Sequence, residues 1–429
     1  MTTSTRTRTR TRSPKYKCSS ILVISGTNSG VGKTTVTVGL MTAFAQQGYI
    51  VQPFKAGPDF LDGMHHEAGI RAGEKEFKQR QSSNGWMMRS PDNVLASFHY
   101  HSQGADICII EGAMGLHDSI DGISDDGSAA QIAKWLNAPV VLVVDAGTMA
   151  RSVAAMALGY TVLDKEMRMG AVVVNRVGGR VHIDWIRDAI EHEGTKIGGL
   201  LKDVGTGEAV LFAGALPQDG SNEMRYLRLA ALVEENLDMD VLFKIGQTSR
   251  QVAQVSSFLS TSIIPPPILQ PEPSKTCCRI GIAQDEAFCF YYRDNLHLLR
   301  LAGAELVPFS PLTSSHLPPA LDALYIGGGY PELHAQKLQE NETLRKDIQS
   351  FSQAGGAVFA ECGGLMYLSN KLLLSKAETY NMCGVIPIST RMTPHCKMYY
   401  ASIEFTSQNP LFPSGGAHCR GQLFHFSEI

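Results

Sequence analysis

No run of apolar residues in this sequence approaches the ~18–20 that a membrane-spanning helix needs; the longest, from Pro139 to Val144, has only short flanks. Net charge is nearly absent: 38 Lys and Arg against 41 Asp and Glu leave −3. No chain-wide cationic field therefore recruits nucleic acid or anionic lipid. Patterned cysteine is missing too. The nine cysteines are an odd number, scattered at 18, 108, 277, 278, 289, 362, 383, 396 and 419 without metal-ligand spacing. They read as reduced thiols of a cytoplasmic protein, not as a secreted disulfide framework. Acidic residues are absent before Asp59, and the chain opens on a Thr-Arg alternation at Arg6, Arg8, Arg10 and Arg12. Such a segment cannot bury apolar surface, so residues 1–17 are expected to be a disordered basic tail. A transit peptide would share the composition, but this tail has no amphipathic apolar face.

What remains is globular: 44% hydrophobic and 18% charged over 429 residues, with 41 Gly and 20 Pro. At ~150 residues per domain, two or three domains are expected. From Ile21 onward, short apolar runs alternate with helical stretches. ILVIS (21–25), ICIIEG (107–112), PVVLVVDA (139–146) and GAVVVNR (170–176) are the near-continuous apolar strands of a parallel sheet covered on both faces. Helices are predicted at 34–47, 129–136 and 183–193, giving βαβ architecture. A second series starts at RIGIAQ (279–284) and continues through ALYIGGG (323–329) and GAVFAECGG (356–364). Between the series, residues 249–276 hold Pro265, Pro266, Pro267, Pro271 and Pro273 and read as an extended linker. The predicted fold is α/β in two domains, at 18–248 and 277–429.

ILVISGTNSGVGKTT has a strand, a glycine turn, Lys-Thr and a helix start in register. Backbone N–H groups of Gly26, Thr27, Asn28, Ser29, Gly30, Val31 and Gly32 can wrap a triphosphate, with Thr35 following. Lys33 would neutralise the β- and γ-phosphates and Thr34 would hold Mg²⁺. Five residues separate Gly26 from Gly32, one more than in the common P-loop. The acidic partners such a site needs follow in QPFKAGPDFLDG (Lys55, Asp59, Asp62) and DICIIEGAMGLHDSIDG (Glu111, Asp118, Asp121). Glu111 ends an apolar strand, where ligands gather in open α/β sheets, and can hold Mg²⁺ directly or through water. Each aspartate taken alone is equally well a helix cap or turn residue.

In GAVFAECGGLMYL, Cys362 follows a strand and precedes a helix, and Gly363 and Gly364 allow a tight turn. The arrangement is that of a nucleophile elbow, and a helix N-terminus aimed at the sulfur is expected to lower its pKa. The amides of Gly328 or Gly329, together with that of Gly363, can form an oxyanion hole. His425 in RGQLFHFS is the candidate base; His334 and His418 lack such context.

GTNSGVGKTT, KAGPDFLD, EGAMGL and VVVNR, followed by RIGIAQDEAFCFYY, GGGYPE, AECGGLMYL and FHFS, resemble in order the cobyrinate a,c-diamide synthase family, across about residues 19–429. That family joins a dethiobiotin synthetase-like P-loop domain to a class I glutamine amidotransferase-like domain. The resemblance implies ATP- and glutamine-dependent amidation of the a and c carboxylates of cobyrinate in cobalamin biosynthesis. ATP phosphorylates each carboxylate, and glutamine-derived ammonia attacks the acyl phosphate. It further implies that Asp59, Asp62 and Asp118 meet metal, phosphate or the reacting carboxylate, that Asn175 lies near the adenine, and that Cys362 and His425 form the glutaminase pair. The partners implied are small molecules (corrinoid, ATP and glutamine), and a homodimer is compatible with them. Three features depart from the family pattern. Gly85 in SSNGWMM replaces an acid, Gln422 and Leu423 replace a His-Glu pair, and the chain stops at Ile429, four residues past His425. The last suggests a second domain truncated at its C-terminus. The alternatives are amidation of another tetrapyrrole, hydrogenobyrinate or Ni-sirohydrochlorin, and a P-loop ATPase whose amidotransferase-like half has lost catalysis.

Overall fold

The computed structural model describes residues 18–74, 82–83, 85–86, 90–192, 197–202, 223–249, 276–407, 416 and 418–429. The expected basic tail (1–17) and most of the expected linker lie outside the described residues.

The first half runs β1 (Ser20–Gly26), α1 (Lys33–Gln46), β2 (Val51–Lys55), α2 (Phe60–Gly73), α3 (Pro91–His101), β3 (Ile107–Glu111), α4 (Ala129–Trp135), β4 (Val140–Asp145), α5 (Ser152–Leu163), β5 (Met169–Val177), α6 (Gly179–His192), β6 (Ile197–Lys202), α7 (Glu223–Asn236) and α8 (Met239–Gln247). Its strands form one six-stranded sheet in the order β2-β3-β1-β4-β5-β6, and every pairing is parallel. The apolar runs explain this. β1 and β3 are buried at every position, with one set of side chains packed into a core on one face of the sheet and the alternate set into a core on the other. Several helices begin at side-chain caps: Asp59 Oδ1 accepts from the Leu61 and Asp62 amides at α2, and Ser90 caps α3 ahead of Pro91.

The second half runs β7 (Cys278–Ala283), α9 (Arg293–Leu301), β8 (Ala304–Phe309), β9 (Ala323–Ile326), a 3₁₀ turn (Pro331–His334), α10 (Ala335–Glu340), α11 (Glu342–Gln353), β10 (Ala357–Ala360), α12 (Gly363–Leu368), β11 (Lys371–Leu373), β12 (Thr379–Asn381), β13 (Ser389–Glu404) and β14 (His418–Glu428). A four-stranded parallel sheet has the order β10-β9-β7-β8. The predicted strand at 356–364 ends at Ala360, because the chain must turn before Cys362. The sequence pattern does not announce the third sheet, β12-β11-β13-β14. Its long antiparallel pair sets His425 opposite Lys397.

Candidate active site

The carboxyl ends of the first sheet gather the predicted phosphate-site residues, as expected where strand order reverses on either side of β1. β1 delivers Gly26 into the loop, β2 ends at Lys55, β3 at Glu111, and β5 carries Asn175. The loop turns through left-handed glycines, Gly30 at φ +83° and Gly32 at φ +94°. A side chain on Gly32 would collide with Asn175 Nδ2, which donates to Val31 O at 2.9 Å. Asn175, expected near the adenine, therefore buttresses the loop.

Around the loop, cations and carboxylates interlock. Thr34 Oγ1 donates to Glu111 Oε1 at 2.7 Å and lies 3.1 Å from Asp62 Oδ1. Lys55 Nζ donates to Asp62, to Glu111 Oε1 at 3.0 Å and to Gly112 O at 3.0 Å. Burial opposes the charge on Lys55, but Asp62 and Glu111 outweigh it and hold the ammonium well above the usual lysine range. Burial alone would raise Glu111; Lys55 and the His66 hydrogen bond overcome it and hold that carboxyl well below the usual range. Asp62 is pushed up to about 6 by burial and by the neighbouring Glu111 charge, against the pull of Lys55. Lys33 is lowered to about 8 by burial and by Lys55, and its Nζ donates to Asn28 O at 2.9 Å. A hydroxyl and two carboxylates converging within hydrogen-bond reach are hard oxygen donors of the kind Mg²⁺ takes, so Thr34, Glu111 and Asp62 could hold it.

Asp59 caps α2, yet its charge also reaches Lys55 and Tyr330 of the second half. Asp118 Oδ2 accepts from the Gly115 amide at 2.6 Å, and its charge reaches Lys33. Asp121 is a turn residue, accepting from the Ile123 and Ser124 amides at 2.8 and 2.6 Å. Three contributors were not expected from sequence. His66 Nε2 lies 2.6 Å from Glu111 Oε2 with both side chains fully buried; an ionised carboxylate only accepts, so this nitrogen carries the proton. Tyr160 OH donates to Thr27 O at 2.7 Å, and Arg176 NH2 to Gly30 O at 2.9 Å. The paired His65-His66 inside α2 was the available signal for the first.

At the second site, Cys362 precedes α12 at φ +49°, ψ −111°, a region that non-glycine residues rarely occupy. Gly364 makes the turn possible, since a Cβ there would strike Ile326 O. The Gly363 and Gly329 amides both point at the Cys362 sulfur, and a Cβ on Gly328 would lie 3.3 Å from Cys362 Cβ. The expected oxyanion donors are thus brought together with the nucleophile. The expected fall in thiol pKa is not found. Cys362 keeps an exposed face, but burial on its other sides pushes the thiol up, and the Glu332 and Glu361 charges add to this against the two amides. A helix of six residues supplies too little dipole to reverse it. His425 Nδ1 lies 2.8 Å from Ser427 O on its own strand. Among the described residues, no helix is long and apolar enough to cross a membrane.

Comparison with known proteins agrees with this geometry. Residues 22–247 match the CobQ/CobB/MinD/ParA nucleotide binding domain, and residues 279–428 the CobB/CobQ-like glutamine amidotransferase domain. The chain is 37% identical over 416 residues to a cobyrinate a,c-diamide synthase of Caldanaerobacter subterraneus, covering 95% of this chain and 86% of that one. It is 37% identical to the protein of that name from Methanosarcina acetivorans (95% and 84% covered) and 39% identical to that from Syntrophotalea carbinolica (95% and 86%). A nucleotide-binding half and a glutamine amidotransferase half, related in one order to these proteins over nearly the whole chain, make this protein a member of the cobyrinate a,c-diamide synthase family.

Proposed function

We propose that the protein is a carbon–nitrogen ligase that amidates the a and c carboxylates of cobyrinate in cobalamin biosynthesis, using ATP and glutamine. The observation that carries this reading is the similarity of both halves, over 95% of the chain, to proteins named for that reaction. The residues support a division of labour. Loop amides from Gly26 to Gly32, with Lys33, cradle the ATP phosphates, and Thr35 and Asn175 hold the loop and the nucleotide. Thr34 and Glu111 would hold Mg²⁺, which would supply neutralisation of charge on the phosphates. Lys55, Asp59, Asp62 and Asp118 orient the corrin carboxylate for attack on the γ-phosphorus. A carboxylate is a poor acyl donor, and the acyl phosphate supplies the leaving group that ammonia displaces.

In the second half, the Cys362 thiolate attacks the glutamine amide carbon, giving a γ-glutamyl thioester and ammonia. Gly363, with Gly329 or Gly328, receives the oxyanion. The resemblance assigns the proton transfers to His425. The reading includes a cytoplasmic location, in keeping with nine free cysteines, and a division of the chain at the 249–276 linker.

Incubation with ATP, Mg²⁺, glutamine and cobyrinate should yield the mass of the diamide, with hydrogenobyrinate and Ni-sirohydrochlorin run in parallel. No mass change with cobyrinate would reject this acceptor. Glutamate release should vanish in Cys362→Ser while added ammonium still supports amidation. Persistent glutamate release in His425→Asn would show that another group is the base.

A further inference from the structure

Each carbonyl of the phosphate loop from Thr27 to Val31 meets a side-chain donor. Tyr160 OH donates to Thr27 O at 2.7 Å, Lys33 Nζ to Asn28 O at 2.9 Å and Asn28 Nδ2 to Ser29 O at 2.7 Å. Arg176 NH2 donates to Gly30 O and Asn175 Nδ2 to Val31 O, each at 2.9 Å. A trans peptide points its C=O and its N–H in opposite directions. Carbonyls held outward therefore turn the amides inward, as a loop that cradles phosphate requires. The five donors differ in what ATP would do to them. Lys33 must leave Asn28 O to reach the phosphates, and Asn28 moves with the loop it belongs to. Arg176 is partly exposed and shared with Asp145. Tyr160 stands on α5, outside the loop, and carries no charge for a phosphate to draw away. Its ring lies along that of His117, with centroids 5.7 Å apart and planes 26° from parallel, so the hydroxyl is aimed in advance. Burial and the Asp118 charge raise the phenol pKa, and the group keeps the proton that it donates. The carbonyl it holds sits where the chain leaves the sheet: Thr27 is buried, whereas Asn28, Ser29 and Gly30 are exposed.

We propose that Tyr160 is a positioning residue for ATP: by holding Thr27 O outward, it fixes the Thr27–Asn28 peptide with the Asn28 amide turned towards the phosphates. This rests on the nucleotide site proposed above and adds to it a residue that lies outside the loop motif. Without the phenol oxygen, Thr27 O loses this donor. Gly115, where even a Cβ would lie 2.9 Å from that oxygen, has no side chain to replace it. The peptide can then rotate, which turns the Asn28 amide away and sets a carbonyl dipole against the phosphates. Lys33 releases Asn28 O as it engages ATP, so the next peptide along is freed in the same step. The loop is one residue longer than the common P-loop, and the extra peptide makes a fixed first peptide matter more.

The test is the Kd for ATP with Mg²⁺, measured by calorimetry on the full chain. Tyr160→Phe removes one oxygen and keeps the ring against His117. It should weaken ATP binding by about three- to tenfold, the net worth of one hydrogen bond. In amidation driven by added ammonium, KM for ATP should rise by a similar factor while KM for cobyrinate stays at the wild-type value. A general loss of structure would raise both. A chain carrying p-aminophenylalanine at position 160 regains an N–H donor at the same reach and should recover most of the lost affinity. An unchanged Kd in Tyr160→Phe overturns the inference, as do an equal rise in both KM values and a failure of the amino ring to restore binding. A wild type that binds ATP but leaves cobyrinate unchanged overturns the proposed acceptor alone, because the Kd still reads the role of Tyr160. A wild type that binds no ATP overturns the nucleotide site, and the inference with it.

Discussion

At the residue scale, the chemistry depends on groups whose charge is set by their neighbours. Lys33 lies by the loop with its pKa lowered to about 8, held near enough to neutrality that bound phosphates would raise it again. Lys33→Ala should reduce kcat for ATP-dependent amidation about 100-fold or more, the usual effect of losing one donor to developing charge, with glutamate release in the other half retained. His66 acts through Glu111, whose second oxygen it alone occupies among the described residues. His66→Ala should raise the Mg²⁺ concentration needed for half-maximal amidation by about 10–100-fold, read from a metal titration at saturating ATP. Cys362 carries a pH signature. Its thiol pKa is raised, so the thiolate fraction at neutral pH is small and grows as pH rises through the alkaline range. kcat/KM for glutamine should therefore climb with pH without levelling near the usual thiol pKa, and a plateau below pH ~8 would contradict it. Most of these groups were readable in sequence because motif spacing marks them. His66 was not, because nothing local says which strand end a buried imidazole will face.

At the scale of elements, two turns decide whether their sites exist. Gly32 combines φ +94° with direct contact to Asn175, so Gly32→Ala adds backbone strain of about 1 kcal/mol and displaces the side chain that holds Val31. ATP binding, followed by calorimetry, should be lost while the fold remains. Gly364 faces backbone at Ile326, which cannot step aside as a side chain can. Gly364→Ala should cost about 1–3 kcal/mol of stability and abolish glutamate release while sparing ammonium-dependent amidation. The parallel strands were legible because burial on both faces forces continuous apolar runs, as in ICIIE of β3. The β13–β14 pair was not, since most of its described side chains are exposed or half-buried and it carries no continuous apolar run.

At the scale of the whole molecule, a buried carboxylate, Asp294, ties the two halves together. Asp294→Ala would remove the carboxylate that accepts from buried Ser83 and Ser97 and pairs with half-buried His101, at about 1–3 kcal/mol in all. Thermal unfolding should then separate into two transitions where the intact protein shows one, as seen by calorimetry. The seam itself could not be read from the chain: Phe60 and Phe290 lie inside two motifs far apart in sequence, and only packing joins them to each other. What the sequence determined alone was the order of the chemistry, a P-loop half followed by a cysteine elbow, because each needs fixed residue types at fixed spacing on a strand-turn-helix frame. What the tertiary structure decided was which charges share a site, that the Cys362 thiol is raised, and that the two halves touch through Phe60 and Phe290. These depend on desolvation and on distances between segments remote in sequence, which no local pattern encodes.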